Sequence, residues 1–156
     1  MVKISLLFLV AGILVIAFAF FVPAKDSAIT LSYSFTYYVV SSISLFKFLG
    51  LLGLIFAGLY HFTDQYLYSK TWSVMHLICF LCLIINIWTY GFVERVYFGN
   101  LEDSLSKNIP DPKEMERFER IEKFYTGTFI IMILLQFLYV INLIVGLIYR
   151  KSNSEN

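Results

Sequence analysis

The apolar positions of this chain fall in four long runs separated by polar stretches: about Ile4 to Val22, Tyr38 to Tyr60, Trp72 to Phe92 and Tyr125 to Tyr149. Inside the runs, hydrophobic residues follow one another without the alternation of a half-buried strand, and for far longer than a strand lasts. Each run is near or above the roughly 20 residues that a helix rising ~1.5 Å per residue needs to cross ~30 Å of hydrocarbon. Backbone amides in lipid have no water to bond, so a segment crossing there satisfies them within its own helix. The pattern predicts an all-α fold, an integral membrane four-helix bundle forming a single membrane domain over 1–156. Composition agrees, because 59% hydrophobic and 15% charged residues lie outside the range of an ordinary water-soluble domain.

Between the third and fourth runs, residues 93–124 form the one substantial water-facing connection. Its second half, "NIPDPKEMERFERIEKFY", offers Asp111 as an N-cap and Pro112 in the first turn, where the missing N–H costs nothing. Met115, Phe118, Ile121 or Glu122, and Tyr125 then recur at helical spacing. Glu116/Arg120 and Glu119/Lys123 stand as i,i+4 pairs on the wet side. This reads as a solvated helix leading into the last span; the sharper alternative is a docking surface for the soluble domain of a partner.

Lys3, an apolar run and "VPAKDSA" also fit a signal peptide cleaved after Ala24. A signal core is about 7 to 15 apolar residues, shorter than this run, so an uncleaved anchor is expected. With four spans, Lys3, Lys70, Arg150 and Lys151 share one side of the membrane. Lys25, Arg95, Lys107, Lys113, Arg117, Arg120 and Lys123 share the other. Counted plainly, the basic residues place the termini outside, although the long connection also carries eight acids. Tyr37/Tyr38, Tyr66/Tyr68/Trp72, Trp88/Tyr90 and Tyr149 mark the expected aromatic belts at the two interfaces.

Candidate chemistry is sparse. Cys79 and Cys82 lie inside the third run, where their spacing puts two small apolar residues on one helix face, a packing role. A net charge of +1, with no basic patch interleaved with aromatics, points away from nucleic acid. His61 and His76 end one span and begin the next, so both belong near the same membrane face. Two ligands without a carboxylate or thiolate at suitable depth make a poor zinc or copper site, and interfacial or hydrogen-bonded histidine is expected. No metal is predicted.

The second run, "TYYVVSSISLFKFLGLLGLIFAGLYHF", resembles the tenth transmembrane helix of subunit I of the haem-copper respiratory oxidases. That helix reads His-Asp-Thr-Tyr-Tyr-Val-Val-x-His-Phe-His and ends near Phe-Ala-Gly-Phe-Tyr-His-Trp. Here Thr36, Tyr37, Tyr38, Val39 and Val40 match its start, and Phe56, Ala57, Gly58, Tyr60 and His61 match its end without a gap. Gly50 falls on a family glycine. The third run is similar to the eleventh helix more loosely, through His76, Asn86 and Arg95-x-Tyr97, and the last is compatible with the twelfth. The resemblance covers about Thr36 to Lys151. It implies termini facing the cytoplasm and 93–124 facing outward, against the plain lysine and arginine count.

The departures from that family carry the functional expectation. The two histidines that ligate haem iron there fall on Ser42 and Ser44 here, and the His-Asp pair of its magnesium site falls on Ser34 and Phe35. A hydroxyl has no imidazole lone pair to give a haem iron. The copper-binding histidines belong to a helix that this sequence does not match. Of the two arginines that clamp haem propionates, one has a counterpart in Arg95, which as an arginine flanking a span also reads as an interface anchor.

Lys47 remains to be placed, because a charged lysine at a span centre costs ~2.5 to 3.5 kcal/mol. It lies ~13 Å of helix rise from Tyr38. Span directions alternate, which puts Lys47, Asn86 and Gln136 within about 7 Å in depth and suggests a polar cluster in the membrane. The alternatives are an acidic residue on another subunit, snorkelling, or a neutral amine. Ser42 and Ser44 are small enough to let helices approach closely.

The expected function is that of a non-catalytic accessory or assembly partner of a respiratory complex, without a cofactor, in a bacterial inner membrane. Its partners would be the lipid bilayer and another membrane subunit. Two alternatives stand beside it: a haem-binding electron-transfer component using His61 or His76, and a small channel or transporter using Lys47.

Overall fold

The computed structural model describes residues 3–21, 28–33, 36–105 and 112–154. In chain order the elements are α1 (Ile4–Phe21), β1 (Ala28–Tyr33), β2 (Thr36–Ser41), α2 (Ser42–Thr63), a 3-10 turn (Asp64–Tyr66), α3 (Lys70–Leu105), α4 (Pro112–Leu135) and α5 (Leu138–Ser154). Four helical segments are long and apolar enough to cross a membrane: Ile4–Phe21, Ser42–Tyr66, Lys70–Val93 and Glu119–Arg150. The cleavage stretch after the first helix and the proposed N-cap Asp111 lie outside the described residues, as do Ser34 and Phe35.

The start of the second run departs from the helix expected there. Residues Thr36–Ser41 form a strand, not the first turns of a helix. They pair antiparallel with Ala28–Tyr33 in a register running from Ala28 opposite Ser41 to Tyr33 opposite Thr36. The β-branched and aromatic residues Thr36 to Val40 suit a pleated ladder better than a helix, so one short hairpin precedes the second helix of a predominantly helical chain. The helix then starts at Ser42 because Ser41, in extended conformation, accepts a hydrogen bond from the Ser44 amide at 3.4 Å.

The connection is also shorter than its polar composition implies. α3 runs on to Leu105 and α4 begins at Pro112, so most of 93–124 prolongs two membrane-length helices. The two expected pairs on α4 are present: Lys123 Nζ lies 2.7 Å from Glu119 Oε1, and Arg120 lies 4.0 Å from Glu116.

The four membrane-length segments run antiparallel in succession, as their contacts from one end to the other show. Phe8 of α1 stacks on Tyr60 of α2 (centroids 5.2 Å apart), while Phe18 meets Phe46 edge-on at 5.4 Å. Tyr60 reaches His76 of α3 near one end, and Tyr90 meets Tyr125 of α4 at 5.4 Å near the other. One apolar cluster (Val15, Ala19, Phe46, Leu49, Leu83, Ile87, Tyr90) fills the half of the molecule nearer the hairpin. A second, around Phe8, Phe56, Tyr60, Leu77, Phe80 and Tyr139, fills the half nearer the termini.

Glycine sets the spacing of α1 and α2. A Cβ on Gly12 would sit 2.8 Å from the Gly50 carbonyl oxygen, and one on Gly50 would strike the Ile16 side chain and lie 2.9 Å from the Gly12 carbonyl. The two backbones therefore touch, the close approach that small residues permit between apolar helices. Of the two serines expected to help, Ser42 is buried and Ser44 is exposed.

Candidate functional site

The molecule's most distinctive feature is a set of polar side chains buried inside an apolar structure. Ser73, His76 and Asn142 are at most 1% exposed, and buried polar groups on this scale are stable only when paired.

His76 sits on α3 within an aromatic collar. Phe56 meets its ring edge-on at 4.5 Å, and Phe8 lies at 5.2 Å. Its Nε2 faces Gln136 Oε1 at 3.1 Å, and its Nδ1 faces the Tyr60 hydroxyl at 3.0 Å. The orientation of Gln136 resolves the protons. Its Nε2 donates to the Met132 carbonyl at 2.9 Å, leaving Oε1 as the acceptor turned towards His76. Imidazole Nε2–H therefore donates to Gln136, and Nδ1 accepts from Tyr60. Tyr60, His76, Gln136 and Met132 form one directed chain of hydrogen bonds tying α2, α3 and α4 together. Both ring nitrogens are spent in it.

Gln136 also marks where the expected continuous fourth helix breaks. Its backbone N–H turns to the Ile133 carbonyl at 3.0 Å, and Phe137 N–H turns to Leu134 at 3.1 Å, before α5 resumes at Leu138. In an unbroken helix the Gln136 amide would bond the Met132 carbonyl. Here the side chain takes that carbonyl instead, so the kink leaves it satisfied.

Asn142 organises the end of the fold near the termini. Its Oδ1 accepts from the Ser69 amide at 3.0 Å, and its Nδ2 donates to the Ser69 carbonyl and to Ser73 Oγ, each at 3.0 Å. Its own carbonyl accepts from Tyr68 N–H at 3.2 Å. One turn on, a Cβ at Gly146 would strike the Tyr66 carbonyl oxygen and approach Tyr68 N to 2.7 Å. The α2–α3 loop is thus seated by backbone on a notch in α5. Nearby, Thr63 donates to the Leu59 carbonyl at 2.7 Å, leaving its oxygen to accept from the Tyr139 hydroxyl at 3.0 Å.

The residues singled out by sequence are dispersed. Lys47, Asn86 and Gln136 do not form one cluster. Gln136 bonds His76, Asn86 Nδ2 donates to Thr128 Oγ1 at 2.7 Å, and Lys47 Nζ lies 5.0 Å over the Phe20 ring. The pairing of Tyr90 with Tyr125 sets the register of α3 and α4, which levels Gln136 with His76. Asn86 is ten residues further along α3, about 15 Å away. Lys47 is five residues from the start of α2, about 7.5 Å, because the helix begins at Ser42 and not at Tyr38. It is exposed on the outer surface, and its long stem carries the ammonium towards the end of α1.

His61 is exposed at the end of α2, while His76 is buried, so the two do not act as a pair. The side chain of Arg95 lies outside the described residues. Cys79 and Cys82 are half-buried thiols without a disulfide. Among the described residues, no three His, Cys, Asp or Glu side chains gather as a metal site.

Sequence reasoning missed Ser69, Ser73, Tyr60, Tyr139 and above all Asn142. The signal available was Asn142 four residues before Gly146 inside an apolar run: a polar group and a notch on one helix face. Comparison with known protein families, curated proteins and solved structures finds no match to the chain.

Proposed function

We propose that this chain is an integral membrane protein with no catalytic chemistry of its own, serving as an accessory or assembly partner of a larger membrane complex. Its polarity is arranged for lipid: Ser73, His76 and Asn142 are inside, while Leu14, Phe20, Leu134 and Ile148 are each 60% exposed or more. Apolar exposure on that scale suits lipid or a partner subunit and not water.

The observation that carries the non-catalytic reading is the commitment of both His76 nitrogens to Tyr60 and Gln136. An imidazole so placed has no lone pair left for an iron and acts as a pillar between helices. Lys47, on the outer surface, lines no interior pathway among the described residues. The respiratory affiliation is carried by the runs Thr36–Val40 and Phe56–His61, which resemble oxidase subunit I; a bacterial inner membrane is the corresponding setting.

Two measurements test the proposal. Purified after expression with haem supplied, the protein should show no Soret absorption; stoichiometric haem would overturn the non-catalytic reading. Solubilised gently from its native membrane, it should co-migrate with oxidase or quinol-oxidising subunits, and recovery without any of them would refute the respiratory assignment.

A further inference from the structure

We propose that the outer groove between α1 and α2, at the end of the molecule near the termini, binds an anionic phospholipid. Its phosphate would be held by Lys3, Ser5 and His61, with one acyl chain lying along Gly58. The groove measures ≈ 860 Å³, and Leu6, Leu9, Leu54, Ala57 and Gly58 supply its apolar lining. Lys3, Ser5 and His61 stand at its polar mouth.

Gly58 differs from the glycines that shape the fold. Gly12, Gly50 and Gly146 each receive a neighbouring backbone, whereas nothing lies within 4 Å of a Cβ built on Gly58. A glycine weakens a helix interior, and here no protein group uses the space it leaves. The groove opens on the apolar outer surface, so an occupant arriving from the bilayer reaches it without crossing protein.

Charge selects the occupant. Among the described residues no carboxylate pairs with Lys3, and the Ser5 hydroxyl and exposed His61 imidazole add hydrogen-bond donors beside it. An ammonium with two further hydrogen-bond donors at the polar end of an apolar trough matches a phosphate ester carrying a hydrocarbon tail. A phosphatidylglycerol-type headgroup leaves that phosphate uncompensated; a choline headgroup brings its own cation against Lys3.

The site rests on the membrane reading above, and native mass spectrometry of the delipidated full chain separates the two. Titrated with phosphatidylglycerol, phosphatidylcholine and inorganic phosphate in parallel, the protein should retain phosphatidylglycerol preferentially and phosphate not at all. The double variant K3Q/H61Q should weaken that retention at least about fivefold, and Gly58→Leu, which fills the trough, should abolish it. Should Gly58→Leu fail to fold, K3Q/H61Q, confined to exposed side chains, carries the test alone. Equal retention of the two lipids, or wild-type retention by K3Q/H61Q, would overturn the site. Phosphate binding lost in K3Q/H61Q without lipid preference would replace it by a simple anion site. A chain recovered from the soluble fraction sinks the membrane reading and the site together; one recovered in the membrane but indifferent to headgroup sinks the site alone.

Discussion

Replacing Asn142 by leucine tests whether the α2–α3 loop is held by the notch in α5. Leucine is close in size, so the cavity and packing contributions stay small and hydrogen bonding dominates. Three bonds disappear: Ser69 N–H to Oδ1, and Nδ2 to the Ser69 carbonyl and to Ser73 Oγ. Their consequences are unequal. The Ser69 carbonyl keeps Ser73 Oγ at 3.3 Å and the Ser73 amide at 3.4 Å, whereas the Ser69 amide is left without an acceptor.

An orphaned buried donor costs about 1 to 3 kcal/mol, and the two bonds donated by Nδ2 add about 0.6 kcal/mol each, the average measured inside a membrane protein. Offset partly by the more apolar side chain, the expected loss is about 2 kcal/mol. Asn142→Asp should cost at least as much, since it keeps the acceptor but turns an oxygen towards the Ser69 carbonyl. Denaturant unfolding in detergent micelles measures the loss. Hydrogen exchange at Ser69 and Tyr68 localises it, with protection there falling by about 30-fold if the loop detaches. A cost below about 0.5 kcal/mol with unchanged exchange at Ser69 would refute the reasoning.

Gly50→Ala should destabilise by about 1 to 3 kcal/mol because its Cβ meets the α1 backbone, while Gly58→Ala, opening on empty space, should be neutral or stabilising by up to about 1 kcal/mol; thermal unfolding of the two side by side is decisive, and equal effects would contradict the helix contact. Tyr60→Phe keeps the stack on Phe8 but removes the donor to His76, and a loss of about 1 kcal/mol is expected in the same assay. Lys47→Met should shift stability by less than about 1 kcal/mol, the scale of an exposed cation–π contact; a gain of 2.5 kcal/mol or more would instead put the ammonium at the bilayer centre.

Much of the helical framework is legible along the chain because long apolar runs leave the backbone few alternatives. Two boundaries that moved did so for local reasons. Thr36 to Val40 read as helix when joined to the apolar run that follows, yet five β-branched or aromatic residues in succession before a serine cap favour a strand. The fourth run reads as continuous because nothing in its composition announces that Gln136 will replace its own amide at the Met132 carbonyl. The polar cluster failed on register: depth counted from estimated span ends misplaced Gln136 by about 8 Å relative to Asn86, enough to exchange one set of partners for another.

His76 shows why residue type alone did not identify the site. The sequence leads one to expect a hydrogen-bonded histidine here, because an imidazole is expensive to bury unpaired, but it does not name the partners. What decides its role is whether neighbours on other helices occupy both nitrogens, and those neighbours are distant in sequence: Tyr60 sixteen residues before and Gln136 sixty after. The same holds for the residues on which the resemblance to the oxidases rests. Phe56 and Tyr60, which lend the resemblance its second half, here build the collar and the donor that hold His76. In this fold these residues serve helix packing. Thr36 to Val40, the first half, form a strand outside the helix.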